Sequence, residues 1–429
     1  MSRNLKSAAG NQDAEPALTP KLRFPEFRDA PAWGIKTLEA LLEISATYGI
    51  VTAGAFQQRG IPMLRGGDIK DGQIGDGVPL VTAEIHSQYK RTILEADDVV
   101  ISLVGYPGEA AVVPPHYVGA NISRAVGLLR LKDVLSARYL VSFLNSPTGR
   151  QTVLKPSAGS AQVVVNLKQL NGLPIPTPSE SEQQKIAECL NTLNEVIAAQ
   201  NQKLDALKTH KKGLMQQLFP REGETLPRLR FPEFQNFGEW EVRELSDFIT
   251  ERIQYPKEKV PLFSLTIEDG VTPKTARYER SFLVNDEADA YKLVLPNDFA
   301  FNPMNLRFGA IGRHTGIEKV VVSKYYNIFS CDRTVDPRFC EMYFRSDGMV
   351  AFYDDRAIGS LIEKRRVHFA AFLKFNIRFP RLPEQQRIAD CLITLNDLIT
   401  AHSAKLSSIK THKKGLMQQL FPSPEAVEA

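Results

Sequence analysis

The chain has 429 residues, 43% of them hydrophobic and 24% charged, which is enough for more than one core of ordinary size. Its formal net charge of +4 permits an anionic partner without demanding one, and no stretch approaches the roughly 20 apolar residues of a membrane span. Cys189, Cys331, Cys340 and Cys391 show no CxxC spacing, which argues against a disulfide framework or zinc site and reads as reduced thiols of a cytosolic protein.

Residues 1–20 are polar and lack the apolar core of a signal peptide, so they read as a mobile leader. A globular segment over 21–178 opens on "LRFPEF" at Leu22, with Trp33 downstream. Within it, "LVGYPGEAAVVPPHYVGANISRAVGLLRL" predicts a strand, a turn at Gly105 and Gly108, and further strand with Ser123 and Arg124 at its start. A long helix over 179–220 follows. Ser179 and Glu182 have the spacing of a capping box, and Phe-Pro ends the helix. The second globular segment, 221–378, reopens on "LRFPEF" at Leu229, with Trp240 downstream. A second helix over 379–422 carries Pro383 in its first turn, and 423–429 remain as a tail.

Both helices close on the same phrase, "KTHKKGLMQQLFP", at Lys208 and again at Lys410. They open alike as well: "EQQKIAECLNTLN" from Glu182 and "EQQRIADCLITLN" from Glu384 lie 202 positions apart. The chain is therefore two half-copies with constant ends and diverged middles.

Ile186, Leu190, Leu193, Ile197, Gln200, Leu204 and Leu207 alternate steps of four and three, as do Ile388, Leu392, Leu395, Ile399, His402, Leu406 and Ile409. That is a coiled-coil seam. Each helix would run roughly 55–60 Å at about 1.5 Å per residue. If a twofold axis relates the halves, the second helix ends against the first "LRFPEF" and the helices pair antiparallel, with Gln200 and His402 in one polar layer. The expected fold is α+β, two globular domains joined by an antiparallel coiled coil with a pseudo-twofold repeat. The alternative is a plain two-helix core with no rod. Val196, Met215, Leu398 and Met417 widen the apolar stripes, so that either helices of another protein or the chain's own globular parts must cover them. Lys211 and Lys413 occupy seam positions, where a lysine either snorkels and fixes register or faces an anion.

Two variable domains, each followed by an "EQQ" helix ending in "KKGLMQQLFP", resemble the specificity subunit of type I restriction-modification enzymes. The similarity runs from about Lys21 to Pro422. The resemblance implies a non-catalytic, cytoplasmic, nucleoid-associated subunit with two target recognition domains, each reading half of a split, asymmetric site in double-stranded DNA. The helices would set the spacer and dock two methyltransferase subunits, to which two restriction-translocase subunits attach. The resemblance also places S-adenosylmethionine, ATP and magnesium on those partners and none on this chain.

Candidate DNA contacts follow from that reading. Ser123-Arg124 and Ser323-Lys324, 200 positions apart, pair a hydroxyl with a base, suited either to phosphate contacts or to a solvated strand edge. The loops "SAGSAQVVVN" and "AIGSLIEKRRVH" offer Gln162 for an adenine and Lys364, Arg365 and Arg366 for phosphate or guanine, or else form a solvated charged face. Arg91, Lys155, Arg307 and Arg313 complete the set. "NPMN" at Asn302 is superficially similar to the base clamp of adenine methyltransferases, but it lacks the second proline and the aromatic residue and reads as structural. No GxxxxGK[ST] phosphate loop occurs. A stand-alone methyltransferase and a DNA-free coiled-coil scaffold are the competing classes. Binding of S-adenosylmethionine would mark the first, and failure to bind duplex DNA the second.

Overall fold

The constant phrases at the helix ends explain how each half is assembled. A computed structural model describes residues 18–155, 164–274, 290–360 and 365–423. It divides into two units, one of Met1–Asn201 with Ala404–Ala429 and one of Gln202–Ser403. Each unit thus takes the start of one long helix and the end of the other.

In the first unit a four-stranded antiparallel sheet runs in the order Thr47–Tyr48, Val126–Leu129, Val99–Ser102, Ala110–Val112. In the second the order is Ile249–Glu251, Asn327–Cys331, Phe299–Phe301, Ile311–Arg313. Both inner strands are apolar runs because both faces are covered. Val99 and Ile101 join one core while Val100 joins another on the opposite face; Phe299, Ala300 and Phe301 divide in the same way. The frame is shared although its filling has changed from aliphatic to aromatic, with Phe299 stacked on Phe329 at 5.0 Å.

Short helices, Ala137–Leu144 with Pro147–Leu154 and Pro337–Phe344 with Asp347–Arg356, pack beside each sheet. Their N-termini are capped by Ser136, Ser146, Asp336 and Ser346, each accepting from a backbone N–H. A two-stranded ribbon, Gly34–Thr37 with Pro174–Thr177, leads into the first long helix; Glu241–Glu244 with Asn376–Phe379 leads into the second. Pro174 and Pro176 are tolerated because their strand has a single partner.

The long helices span Glu180–Leu218 and Leu382–Leu420, 39 residues each. Within each unit their segments pack antiparallel. Ile186, Ala187 and Leu190 share a core with Met417 and Leu420 in the first, and Ile388, Ala389 and Leu392 share one with Met215 and Leu218 in the second. Every seam position named from the sequence is buried or half-buried.

Arg23 of the first "LRFPEF" grips Glu182 with Nε and Nη2, both at 2.7 Å. Arg230 of the second repeats this on Glu384 at 2.8 and 2.7 Å. The glutamates are 1% and 2% exposed, so these pairs are buried at both helix starts. Gln183 accepts from the Ser136 N–H and Gln385 from that of Asp336, tying each helix start to the helix-capping turn of its own unit. At the other helix ends the Leu22 N–H donates to the Gln419 carbonyl and the Leu229 N–H to that of Gln217. Phe421 then packs on Tyr139 and Phe143, and Phe219 on Phe339 and Tyr343. The second helix does end against the first "LRFPEF".

One expectation needs correction. The capping box at Ser179 is half formed: the Ser179 hydroxyl accepts from the Glu182 N–H at 3.4 Å, but the Glu182 carboxylate is committed to Arg23. Of the four residues that widen the apolar stripes, Met215 is half-buried against the second unit's core and Met417 is 6% exposed in the first unit's core, each also edging a cavity beside its long helix. Val196 and Leu398 do remain exposed, at 39% and 45%.

Candidate nucleic-acid interface

In the first unit three segments are locked together by backbone pairing. Asn121–Ile122 lies parallel to Met63–Leu64, Ser123 bridges Ile50, and the Arg124 N–H donates to the Ile50 carbonyl at 2.9 Å. Gly49 makes this approach possible, since a Cβ there would stand 2.0 Å from the Ile122 oxygen. The buried Asn121 amide accepts from the Thr92 hydroxyl at 2.7 Å and donates to the Tyr89 carbonyl at 3.2 Å. It fixes the Lys90–Thr92 turn to the segment carrying Ser123 and Arg124.

Arg91 and Arg124 are exposed on this frame. Ser123 is 9% exposed, and its hydroxyl accepts from the Ala125 N–H. The Ser323 hydroxyl accepts from the Tyr325 N–H in the same way. Both serines therefore build a turn, and the base that follows, Arg124 or Lys324, is exposed.

The second unit reorganises the other candidates. Arg307 is ion-paired to Asp354 at 3.0 Å with its guanidinium over the Phe308 ring. Arg313 holds Glu341 at 3.0 Å and Asn297 at 2.6 Å, and Arg365 donates to the backbone of Ala357 and Asp354 and pairs with the Asp354 carboxylate. In the structure these three arginines are engaged by protein groups. Arg366 is exposed, with its backbone bonded both ways to Ile358. Lys155 is exposed at the end of Pro147–Leu154. Gln162 and Lys364 lie outside the described residues. Asn302 builds an Asx turn by accepting from the Met304 N–H at 3.1 Å, in keeping with a structural role.

Sequence reading missed the exposed apolar and aromatic side chains that each unit carries besides its exposed basic ones. Tyr48, Val51 and Phe56 accompany Lys90, Arg91 and Arg124 in the first unit; Ile253, Tyr255 and Tyr325 accompany Lys257, Lys259 and Lys324 in the second. Tyr325 is 79% exposed directly beside Lys324. The available signal was an aromatic beside a Gly, Pro or basic residue between strands. Among the described residues no cluster of His, Cys, Asp and Glu could hold a metal, and no helix is long and apolar enough to cross a membrane.

Residues 32–209 match the family model described as the type I restriction modification DNA specificity domain. The EcoBI type I restriction enzyme specificity subunit of Escherichia coli is 30% identical over 141 residues, covering 32% of this chain and 30% of that protein. The protein assigned as the MjaX type I restriction enzyme specificity subunit in Methanocaldococcus jannaschii is 25% identical over 422 residues, covering 91% and 92%. Residues 32–209 carry a type I DNA specificity domain, and nearly the whole chain is similar to type I specificity subunits. Its fold agrees with solved members of such systems. The S subunit from M. genitalium is 13% identical with a TM-score of 0.54, covering 94% of this chain and 99% of that one. A chain from a study of complex assembly and conformational transition in a type I system is 14% identical with a TM-score of 0.56, covering 91% and 97%. The family model stops near the end of the first half. The second half repeats the first half's sheet order, capping turns and arginine–glutamate grip.

Proposed function

We propose that this chain is a type I specificity subunit with two recognition domains, each reading one half of a split, asymmetric DNA site, and that its paired helices set the spacer and dock two methyltransferase subunits. Restriction-translocase subunits join through those, and the assembly directs adenine methylation and cleavage. The observation that carries the reading is one frame used twice with different loops. The sheet, the helix starts and the helix ends are wired alike, whereas the side chains set on that frame differ: Arg124 is followed by Ala125 in the first unit, and Lys324 by Tyr325 and Tyr326 in the second. A device that must hold two readers alike and let them read unlike sequences needs that division. Exposed bases would anchor phosphates, and neighbouring polar and aromatic side chains would meet base edges. The halves of the site would lie about one helical turn apart, roughly 34 Å or 10 base pairs.

The test is sequencing of modified adenines in DNA from cells that carry this chain with its methyltransferase partner, against cells that carry the partner alone. A split, asymmetric motif should appear only with the chain, and exchanging residues 221–378 for those of a relative should change one half of it. No new methylation with a soluble partner present would refute the reading. Duplex binding should also weaken with salt, as phosphate contacts require.

A further inference from the structure

Each unit holds a cavity that the recognition surface does not use. In the first, a space of about 890 Å³ lies between Asn194, Ile197 and Ala198 on one long helix, Lys410 and Lys413 on the other, and Pro147 at the start of a short helix. In the second, a space of about 920 Å³ is bounded by Asn396 and Ile399, by Lys208 and Lys211, and by Asp347 and Gly348. The lining residues correspond: Lys208, Lys211, Lys212 and Met215 belong to the same phrase as Lys410, Lys413, Lys414 and Met417. The globular parts have diverged around two copies of one cavity, so what fills it is the same in both halves.

The charges say what that occupant carries. Arg150, Lys410, Lys413 and Lys414 face Asp71 and Glu195 in the first cavity, an excess of two positive charges. Lys208, Lys211, Lys212 and Arg221 face Glu222 and Asp347 in the second, the same excess. Arg150 is engaged by Glu109, but Lys413 and Lys211 make no ion pair among the described residues. Lys413 donates to Asn194 Oδ1 at 2.5 Å, a neutral acceptor. Both lysines are half-buried, and desolvation holds their pKa values below the ordinary lysine value. Asp71 acts on Lys413 and Glu341 on Lys211 only from beyond ion-pair distance, so each cation is kept from water with its pairing incomplete.

We propose that each cavity receives an acidic side chain on an otherwise apolar segment of a partner subunit, one copy per unit, its carboxylate meeting Lys413 in the first and Lys211 in the second. The inference rests on the reading that the chain assembles with methyltransferase subunits. The lining favours protein over the DNA backbone, because Ile197, Ala198 and Met417, or Met215, Phe219 and Ile399, offer apolar surface that a phosphate chain does not use, and the acidic lining residues repel it.

The experiment uses the full chain with its methyltransferase subunit and counts bound copies by native mass spectrometry. Lys413→Glu and Lys211→Glu should each remove one copy, weakening that site by about tenfold or more, and the double variant should remove both. Where a reversed charge at the seam unfolds a unit, Lys414→Glu and Lys212→Glu on the exposed rim should weaken the same sites more mildly. Two copies held as tightly as in the unaltered chain would overturn the inference while leaving the assembly reading intact. Unchanged copy number with weakened duplex binding would also overturn it, in favour of a phosphate occupant. Failure of the unaltered chain to bind the methyltransferase at all would sink the assembly reading, and this inference with it.

Discussion

Arg230 and Glu384 are held together because neither can return to water, at 9% and 2% side-chain exposure. The hydrogen bond to Glu182 likewise keeps the Arg23 guanidinium above its ordinary pKa. Removing one member of such a pair leaves the other buried and uncompensated, at a cost of about 3–5 kcal/mol. Glu384→Gln should therefore lower the second unit's unfolding free energy, measured by urea titration, by that amount, while the double variant Arg230→Met with Glu384→Leu should recover much of it. A single-variant loss below about 1 kcal/mol would show that water reaches the pair. Lys413 predicts the opposite sign. Its pKa in the folded chain is lowered, chiefly by desolvation, so its charge destabilises the fold at neutral pH, and that penalty fades as pH rises through the folded value toward the ordinary lysine range. Lys413→Met should raise the melting temperature of the free chain near pH 7, with the gain shrinking as pH rises and gone once it passes the ordinary lysine value of about 10.4. A lower melting temperature would mean that the bond to Asn194 outweighs the desolvation.

At the scale of elements, the two 39-residue helices were legible because their apolar residues recur at a regular spacing over many turns and their ends carry Phe-Pro. The sheets were much less so. Their strands are two to five residues long, and their partners lie far along the chain, as with Val126–Leu129 against Val99–Ser102. The fate of a basic residue is hidden for the same reason. Arg307, Arg313 and Arg365 look like Arg124 in the sequence until folding brings Asp354 and Glu341 to them. "LFP" read as a helix stop, but its phenylalanine is a core residue. Phe421 is 1% exposed against Tyr139 and Phe143 of the first unit. Phe421→Ala should cost about 3–5 kcal/mol. Hydrogen exchange should speed up in Ala137–Leu144 while Pro337–Phe344 stays protected. Equal loss of protection in both helices would mean that the units do not unfold separately.

At the scale of the whole molecule the repeat is permuted, and the consequence is unequal for the two units. The second is one continuous stretch, Gln202–Ser403, that includes both of its helix segments. The first must collect Ala404–Ala429 from the far end of the chain to complete a core in which Met417, Leu420 and Phe421 are buried. A fragment of residues 202–403 should therefore melt cooperatively by circular dichroism. A fragment of residues 1–201 should not, since its helix segment from Glu180 would expose Ile186 and Leu190 along a seam with no partner, and a lone helix of that length is marginal in water. Adding a peptide of residues 404–423 in trans should restore a cooperative transition whose midpoint rises with peptide concentration, as mass action requires. If residues 1–201 melt cooperatively without the peptide, at a midpoint that peptide does not move, the phrase closing the second helix is a dock and no part of the first unit's core. Restoration would instead show why it is repeated to the letter, because the phrase then serves each unit both as the wall of a core and as the lining of a cavity.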